Sequence, residues 1–438
     1  MTMKLKKKLR NALHFFYAVF GALYYRFPSR KLFVIGITGT SGKSTTTTFL
    51  RTMLEDAGYR VGSLSTVDFY VAGEKKINDK KMTMLGRFQI QKYLRQMVDA
   101  GCDVAIVETT SEGRLQHRHR CIAYDYMVLT NLYPEHIESH GGYDKYARAK
   151  QDIFAYVASL HRKHLLQIRV PKDAHGCIPK IAFIPAEVDF RDGFADKPFD
   201  QYVFFGPKSQ YEVSDIRTNA HGVSFMYKQA QWQAPLLGIH NISNIICAVT
   251  VLETMGVSLD VLVKSVSKLT NVEGRLEFIP EAKQFGFSVI VDYAFEPVAI
   301  QKLYDTVLPL KPKRIIHVCG STGGGRDIAR RGPIGLLAGK YADVVIVTNE
   351  DPYDEDPMEI IHQVSAGAVS AGRKLGETVV EILDRQEAID TAILLARAGD
   401  MVLVTGKGSE QGICVENREM IPWDDRVAVR KALQKIGV

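Results

Sequence analysis

The chain has 438 residues, of which 46% are hydrophobic and 24% are charged, an ordinary globular composition with room for two or three domains. Its formal net charge is +7, but five positive residues fall within the first ten positions. The remainder is close to neutral, so a nucleic-acid partner is not indicated. Six cysteines occur singly, without a C-x-x-C pair, which argues against a zinc ribbon or a disulfide framework and favours a reducing cytoplasm.

Residues 1–30 are predicted to form a separate basic and aromatic helix. A lysine-rich start is followed by an uncharged, aromatic stretch over residues 12–25, which is shorter than the ~20 residues of a bilayer span. Basic residues followed by Phe, Tyr and Leu suit a helix at an anionic membrane surface. One interpretation is therefore peripheral contact of residues 4–27 with the inner face of the membrane. The alternative is a helix packed on the protein body or in an oligomer interface.

Residues 31–274 alternate between strand-like apolar runs and helical patterns. The predicted strands are 32–37, 60–65, 103–108 and 125–130, and the predicted helices are 44–58, 87–100, 143–158 and 241–255. This alternation predicts a parallel sheet covered on both faces. Residues 165–235 lack long helical periodicity and carry short alternating runs, which predict an antiparallel β-rich subregion within the same domain.

Residues 275–438 repeat the strand–helix alternation after a change of character near residue 274. Strands are predicted at 287–292, 314–319, 342–348 and 400–405, with helices near 296–306, 328–340, 357–370 and 385–397. The predicted fold is therefore α/β, with a central P-loop-type ATPase domain built on a parallel sheet and a C-terminal Rossmann-like α/β domain.

A glycine-rich turn directly follows the first predicted strand. Residues 36–45 read Gly-Ile-Thr-Gly-Thr-Ser-Gly-Lys-Ser-Thr and open a helix. Backbone N–H groups at such a turn and helix N-terminus point at a phosphate, Lys43 supplies a point charge, and the Ser44 hydroxyl suits Mg²⁺. The sequence therefore predicts a site for ATP and Mg²⁺, formed by Gly39, Thr40, Ser41, Gly42, Lys43, Ser44 and Thr45.

Two further side chains are candidates for the same site. Glu108 ends an apolar predicted strand in the domain of the phosphate loop, where a carboxylate is placed to hold Mg²⁺ opposite Ser44. His136 follows the next strand, and a second-metal or phosphate role is favoured for it over a structural one. Lys150 lies on a predicted helix and would alone be interpreted as a surface lysine.

Taken in order, these segments resemble the Mur ligase family, ATP-dependent ligases that add amino acids to the muramyl precursor of the cell wall. The C-terminal segments resemble its muramyl-tripeptide synthetase branch (MurE). The matching runs include Thr-Gly-Thr-Ser-Gly-Lys-Ser-Thr, Glu108-Thr-Thr-Ser, Thr-Asn-Leu-x-x-Glu-His136, Tyr-x-x-Ala-Lys150, Gly-Ile-His-Asn241, Gly-Arg275-Leu-Glu, Asp292-Tyr-Ala and Gly406-Lys-Gly-Ser-Glu410.

The resemblance implies a role for each matched residue. Lys43 and the loop amides would bind the β- and γ-phosphates, Ser44 and Glu108 one Mg²⁺, and His136 with a carbamylated Lys150 a second metal. The nucleotide would also contact Asn241, Arg275 and Asp292. The muramyl-peptide acceptor would contact Thr83, Thr110 and Arg118, and the incoming amino acid Asp351, Tyr353, Gly406 and Glu410. Catalytic roles would fall to Lys43, Glu108, His136 and Lys150, in a cytoplasmic monomer.

The chain departs from the family pattern at two places that bear on its substrates. Only about thirty residues precede the first strand, so we expect the family's N-terminal domain, which grips the uridine diphosphate, to be absent, and a lipid-linked acceptor is one hypothesis. Tyr353 stands where diaminopimelate-adding enzymes carry an arginine that forks onto a carboxylate. The acidic loop beside it, 350–356, suits an amino acid with a side-chain amine, or is a solvated loop.

The predicted function is an ATP-dependent amide ligase that adds an amino acid to a muramyl-peptide carboxylate through an acyl phosphate. Two alternatives are an ATP-binding, synthetase-like subunit of an amidotransferase and a folylpolyglutamate-type ligase. The first is disfavoured because Cys177 is the only cysteine between positions 122 and 246, whereas that group carries a four-cysteine zinc insert. The second shares the phosphate loop but lacks the C-terminal segments.

Overall fold

The structure is a computed structural model that describes residues 3–134, 141–219, 222–325 and 328–437, with side chains from residue 11 onward. Contacts divide the chain into two compact units. Unit 1 comprises Met1–Arg217, Val223–Pro235 and His240–Leu269, and unit 2 comprises Thr218–Gly222, Leu236–Ile239 and Thr270–Val438.

Unit 1 is built on an eight-stranded sheet. Its strands are β1 (Phe33–Thr38), β2 (Val61–Leu64), β3 (Asp68–Val71), β4 (Glu74–Ile77), β5 (Val104–Glu108), β6 (Tyr126–Leu129), β7 (Ile181–Pro185) and β8 (Gln201–Phe205). The order is β4-β3-β2-β5-β1-β6-β7-β8. The six strands from β2 to β8 in this order pair in parallel, while β3 and β4 form antiparallel edges. The predicted parallel sheet is thus confirmed.

Helices cover this sheet because each parallel crossover needs one. They are α1 (Met3–Tyr24), α2 (Lys43–Asp56), α3 (Arg87–Asp99), α4 (Ser111–Leu115), α5 (Tyr143–Ala158), α6 (Arg191–Ala195), α7 (His240–Thr254) and α8 (Leu259–Val266). The central strands are buried on both faces, as in β1, where all six residues are buried. Continuous apolar runs such as Phe33-Val34-Ile35 therefore form the middle of the core.

The predicted antiparallel subregion over 165–235 is wrong for its first half. Strands β7 and β8 pair in parallel and extend the main sheet, with the short helix α6 between them. In β8 the half-buried Tyr202 and Phe204 alternate with the buried Val203 and Phe205, as in an edge strand of the main sheet rather than an antiparallel hairpin. A separate three-stranded sheet follows in the order β11-β10-β9, built from β9 (Ser214–Asn219), β10 (Gly222–Tyr227) and β11 (Ala230–Ala234).

Unit 2 is a second α/β layer structure. Its strands are β12 (Glu277–Phe278), β13 (Ser288–Asp292), β14 (Ile315–Cys319), β15 (Val344–Thr348), β16 (Val379–Ile382) and β17 (Met401–Thr405), in the order β12-β13-β17-β14-β15-β16. All pairs except β12–β13 are parallel. The helices are α9 (Pro297–Val307), α10 (Arg331–Tyr341), α11 (Pro357–Ser370), α12 (Arg385–Leu395) and α13 (Asp425–Ile436), and a hairpin joins β18 (Gly412–Cys414) to β19 (Met420–Pro422).

Candidate active site

The glycine-rich turn joins the carboxyl end of β1 to α2, and its glycines are required by close contacts. Gly42 has a φ of +76° at the N-terminus of α2, and a Cβ there would lie 2.4 Å from Asn244 Oδ1. Gly39 has a φ of +153°, and its Cβ would lie 1.9 Å from Thr130 Oγ1. The backbone therefore passes between two polar side chains at distances that only glycine permits.

The loop is held by the residues that follow β6. Asn131 Oδ1 accepts a hydrogen bond from Ser41 N at 2.9 Å, and its Nδ2 donates to Ser41 O at 3.0 Å. Thr130 Oγ1 donates to the same carbonyl at 2.7 Å. These bonds hold the loop in place against the end of the neighbouring strand. Thr130 and Asn131 had no predicted role of their own.

Two lysines converge on one carbonyl of this loop. Lys43 Nζ donates to Gly39 O and Thr40 O, each at 2.9 Å. Lys150 Nζ, which α5 presents, donates to Gly39 O at 2.9 Å and lies 4.5 Å from the centre of the Tyr146 ring. Lys150 is only 2% exposed, so the interpretation as a surface lysine is wrong. The two lysines predicted for this site meet at the phosphate loop.

Glu108 reaches the loop from β5. It is fully buried, and burial raises its pKa, while the charge of Lys43 and hydrogen bonds from Ser44 and Thr66 lower it. Thr66 donates to it twice, from N to Oε1 and from Oγ1 to Oε2, both at 3.1 Å. Thr66 Oγ1 also lies 3.0 Å from Thr83 Oγ1. The structure thus places Glu108 beside Lys43 and Ser44, and Thr66, for which no role was predicted, links it to Thr83.

Two other residues predicted to bind the acceptor lie at α4. Thr110 caps this helix by accepting a hydrogen bond from Gly113 N at 3.0 Å. Arg118 donates to Gln116 Oε1 at 2.7 Å and to Met84 O. Burial lowers the pKa of Arg118, whereas the charge of Glu112 raises it. Each has a structural contact, and both belong to the segment that follows Glu108.

Asn241 lies in the first turn of α7 and is linked to the phosphate loop through a neighbour. Asn244 Nδ2 donates to Asn241 Oδ1 at 3.1 Å, and Asn244 Oδ1 lies 3.4 Å from Thr46 Oγ1 of α2. Thr45 is half-buried on α2. His136, the remaining predicted metal ligand, lies outside the described residues.

In unit 2, the predicted nucleotide residues form a compact group. Asp292 Oδ1 accepts hydrogen bonds from Leu276 N at 3.1 Å and Tyr293 N at 2.9 Å. The Arg275 guanidinium lies 3.9 Å above the centre of the Tyr293 ring. Burial raises the pKa of Asp292, and the charge of Arg275 lowers it. The tyrosine hydroxyl donates to Glu410 Oε1 at 2.8 Å, which connects this group to the next.

Two of the residues predicted to bind the amino acid, Asp351 and Glu410, pair with a buried lysine. Lys407 Nζ lies 3.0 Å from Asp351 Oδ1 and 2.6 Å from Glu410 Oε2. Burial lowers the pKa of Lys407, but the carboxylates of Glu410 and Asp351 raise it more, so the lysine is an ammonium that orients both acids. Gly406, with a φ of +106°, brings the chain so close to Glu350 that a Cβ would lie 2.5 Å from its Oε2.

The acidic loop is not simply solvated. Glu350 and Asp351 are 3% and 5% exposed, and Glu355 pairs with Arg331 at 2.7 Å. Tyr353 adopts a left-handed φ of +53° and donates from its N to Cys414 O at 3.1 Å. The loop is therefore a built part of unit 2 rather than a flexible acidic strip.

Sequence and structure comparisons place these residues in a family. The Mur ligase middle domain family matches residues 37–252, and the "Mur ligase, glutamate ligase domain" family matches residues 274–408. The UDP-N-acetylmuramyl-tripeptide synthetase of Roseiflexus sp. (strain RS-1) is 35% identical over 430 residues, which cover 96% of this chain and 82% of that protein. The chain belongs to the Mur ligase family.

Other relatives of this Mur ligase agree with the assignment. The UDP-N-acetylmuramoyl-L-alanyl-D-glutamate–2,6-diaminopimelate ligase of Geobacillus kaustophilus (strain HTA426) is 31% identical, over 96% of this chain and 82% of that protein. A solved structure of a ligase with that name matches with a TM-score of 0.58 at 26% identity, over 93% of this chain and 79% of the other. Folylpolyglutamate synthase of Mycobacterium tuberculosis shares the fold alone, with a TM-score of 0.68 at 16% identity over 90% and 92% of the two chains.

These findings confirm the fold class, the family and the MurE-like branch predicted from sequence. The chain is an ATP-dependent amide ligase of peptidoglycan precursor synthesis. Within the described residues, no group of three or more His, Cys, Asp and Glu side chains forms a metal site. The metal ligands predicted in unit 1 are Ser44, Glu108, Lys150 and His136, of which only Glu108 is a carboxylate and His136 lies outside the described residues.

Proposed function

We propose that the chain joins an amino acid to the carboxylate of a muramyl-peptide acceptor, with the phosphate loop of unit 1 as its ATP site. The convergence of Lys43, Lys150, Ser44 and Glu108 around the loop carries this proposal. The names of the relatives supply the substrate classes, a UDP-linked muramyl peptide and, for some, 2,6-diaminopimelate. Asn241, Arg275 and Asp292 are assigned to the nucleotide, and Thr83, Thr110 and Arg118 to the acceptor.

The residues of unit 1 fit a divalent cation with oxygen ligands. Glu108 is a buried carboxylate whose two oxygens are held in place by Thr66, and the Ser44 hydroxyl contacts it. A hard cation such as Mg²⁺ prefers such oxygens, and it would neutralise charge on the transferring phosphoryl group. Lys150 fits as a ligand only after carbamylation by CO₂, which turns an ammonium into an anionic oxygen donor. His136 would complete that second position.

The reaction then proceeds in two displacements. The acceptor carboxylate attacks the γ-phosphorus of ATP, the bond to the β-phosphate oxygen breaks, and ADP leaves. The amine of the amino acid attacks the resulting acyl carbon, loses a proton, and expels inorganic phosphate. Lys43 and the loop amides stabilise charge on the phosphoryl oxygens. Glu410, oriented by Lys407 and Tyr293, is assigned to the α-amino end of the amino acid, with Asp351, Tyr353 and Gly406 around it.

Amino-acid-dependent phosphate release tests the proposal. The purified chain is given ATP, Mg²⁺ and a muramyl-dipeptide acceptor that either carries or lacks a UDP group. Each acceptor is tested against a panel of amino acids that includes lysine, ornithine and diaminopimelate. We expect release to require both acceptor and amino acid, and Lys43→Ala to lower it by roughly 10³-fold. Lys92→Ala, an exposed lysine of α3, is the matched control and should keep its activity. Release that never depends on an amino acid would contradict the ligase assignment.

We also propose that this ligase works in the cytoplasm at the inner face of the membrane, through residues 4–27. The charge and exposure of α1 support this location. None of the helices within the described ranges combines the length and hydropathy that a bilayer span requires.

A further inference from the structure

Helix α1 packs against α3 through small residues on one of its faces. Ala18, Gly21 and Ala22 are buried, and a Cβ on Gly21 would lie 3.3 Å from the Phe88 Cα of α3. The Tyr25 ring, directly after α1, lies edge-on to Phe88 with centroids 5.1 Å apart. This close approach places α1 against α3. Of the alternatives predicted from the sequence, packing on the protein body is therefore present in the structure.

A second face of α1 is apolar and exposed, although two of its rings, Phe20 and Tyr24, also contact Phe88 of α3 with centroids 6.2 and 5.4 Å apart. Its residues recur at spacings of three and four, as a single stripe on a helix does, and they are Leu13 48%, Phe16 67%, Tyr17 59%, Phe20 60%, Leu23 56% and Tyr24 65% exposed. Six large side chains on one helix face form a contiguous patch of the kind that marks an interaction surface. Two of the six are tyrosines, which favour a boundary between apolar and wet surroundings.

The charge around this stripe selects the partner. Residues 1–54 contain ten Lys and Arg and no Asp or Glu, and Glu55 is the first acidic residue of the chain. Five of the ten lie at positions 4–10, at the start of the same helix. A second copy of the chain packed on this stripe would bring two such basic segments together, which repel each other. An anionic bilayer supplies both apolar depth and opposite charge.

We infer that α1 lies on an anionic lipid bilayer, with its exposed aromatic stripe at the boundary of headgroups and acyl chains. This inference deepens the proposed membrane location. It rests on the proposed function only for the activity that the bound protein would carry out at the membrane. Phe15 of α1 packs edge-on against His117 with centroids 6.1 Å apart. His117 precedes Arg118, so the membrane-bound helix adjoins the segment assigned to the acceptor. The geometry favours an acceptor held at the membrane.

Vesicle flotation tests this inference with the full chain. The probes are vesicles of phosphatidylcholine alone and of phosphatidylcholine mixed with phosphatidylglycerol, at low and high salt. We expect binding to the mixed vesicles only, and weaker binding at high salt because surface charge is screened. Phe16→Ser with Tyr17→Ser should lower the partition coefficient roughly a hundredfold, since each of the two buried aromatics contributes about a factor of ten. Both side chains are well exposed, so folding should survive.

The matched control replaces exposed apolar residues elsewhere. Leu166→Ser and Leu394→Ser, at 79% and 74% exposure, should bind vesicles as the wild type does. Equal binding by the Phe16/Tyr17 variant, equal binding to neutral vesicles, or a vesicle-independent dimer that this variant abolishes would each overturn the inference. Amino-acid-dependent phosphate release is measured in parallel without vesicles. It should be unchanged in the variant, so failure of the ligase proposal and failure of the membrane inference give different results.

Discussion

His317 makes the stability of unit 2 depend on pH in a predictable direction. Its ring is buried between the Tyr304 hydroxyl, 2.7 Å from Nδ1, and Thr405 Oγ1, 3.0 Å from Nε2. Burial lowers the pKa of His317 from 6.5 to about 3. The unfolded chain therefore binds a proton below about pH 6.5 that the folded unit does not accept, and stability is lost as the pH falls from 6.5 toward 3.

The size of the effect follows from the two pKa values. Between pH 7 and pH 5, binding of one proton by the unfolded chain alone removes about 2 kcal/mol from the free energy of unfolding. In His317→Asn this contribution is absent. The variant should be destabilised by about 1–3 kcal/mol at pH 7, because two buried hydroxyls lose a hydrogen-bond partner, but its stability should change less with pH.

Trp423 allows unit 2 to be monitored separately. The chain has two tryptophans, of which Trp232 lies in unit 1 and Trp423 in unit 2, so Trp232→Phe leaves a single reporter. The separation matters because burial also lowers the pKa of His119 in unit 1 to about 3. Denaturant unfolding followed by Trp423 fluorescence at pH 7, 6 and 5 gives the slope. If the wild type and His317→Asn lose the same free energy over this range, His317 is not the titrating group.

Three further substitutions test a close helix–helix contact, a crowded glycine of the phosphate loop and a buried charge. Gly335→Ala should lower the free energy of unfolding by about 2–4 kcal/mol in denaturant melts, because its Cβ would lie 1.8 Å from a backbone carbonyl of α11. Its control is Gly332→Ala, whose Cβ would enter open space and which should be neutral or stabilising. Gly42→Ala should raise the KM for ATP about tenfold or more, while Gly58→Ala, left-handed but uncrowded, should leave KM unchanged. Lys407→Met should cost about 3–5 kcal/mol in thermal or denaturant unfolding, since two buried carboxylates lose their cation.

Regular elements were predictable because their patterns are local. The helix predicted over 143–158 is Tyr143–Ala158 in the structure, and the strand predicted over 103–108 is Val104–Glu108. The predicted antiparallel pairing of β8 was wrong because the pairing partners of a strand are set by long-range packing. The same short alternation of Tyr202-Val203-Phe204-Phe205 suits an antiparallel hairpin or a parallel edge strand, and only the pairing with β7 decides.

The candidate site was predictable where a residue carries a strong chemical signal. A glycine-rich loop identifies Lys43, and the position of a carboxylate at the end of a strand identifies Glu108. Lys150 gave no such signal on its own, because its burial depends on how α5 packs over the loop. Thr66 and Asn131 were missed although both closely follow strands, the position that revealed Glu108, because a hydroxyl or an amide is common in any loop.

Strand order explains why these particular residues meet, and it singles out Thr66 for a test. In the order β2-β5-β1-β6 the chain reverses direction of winding at β1, and ligands of open parallel sheets bind at such a switch point. Thr66, Glu108, the phosphate loop and Asn131 follow these four strands. Thr66→Val removes the bond from Oγ1 to Glu108 Oε2 but keeps the backbone bond, so amino-acid-dependent phosphate release should fall about tenfold, and Thr66→Ser should restore it. A valine variant as active as the wild type would show that Glu108 needs no such orientation.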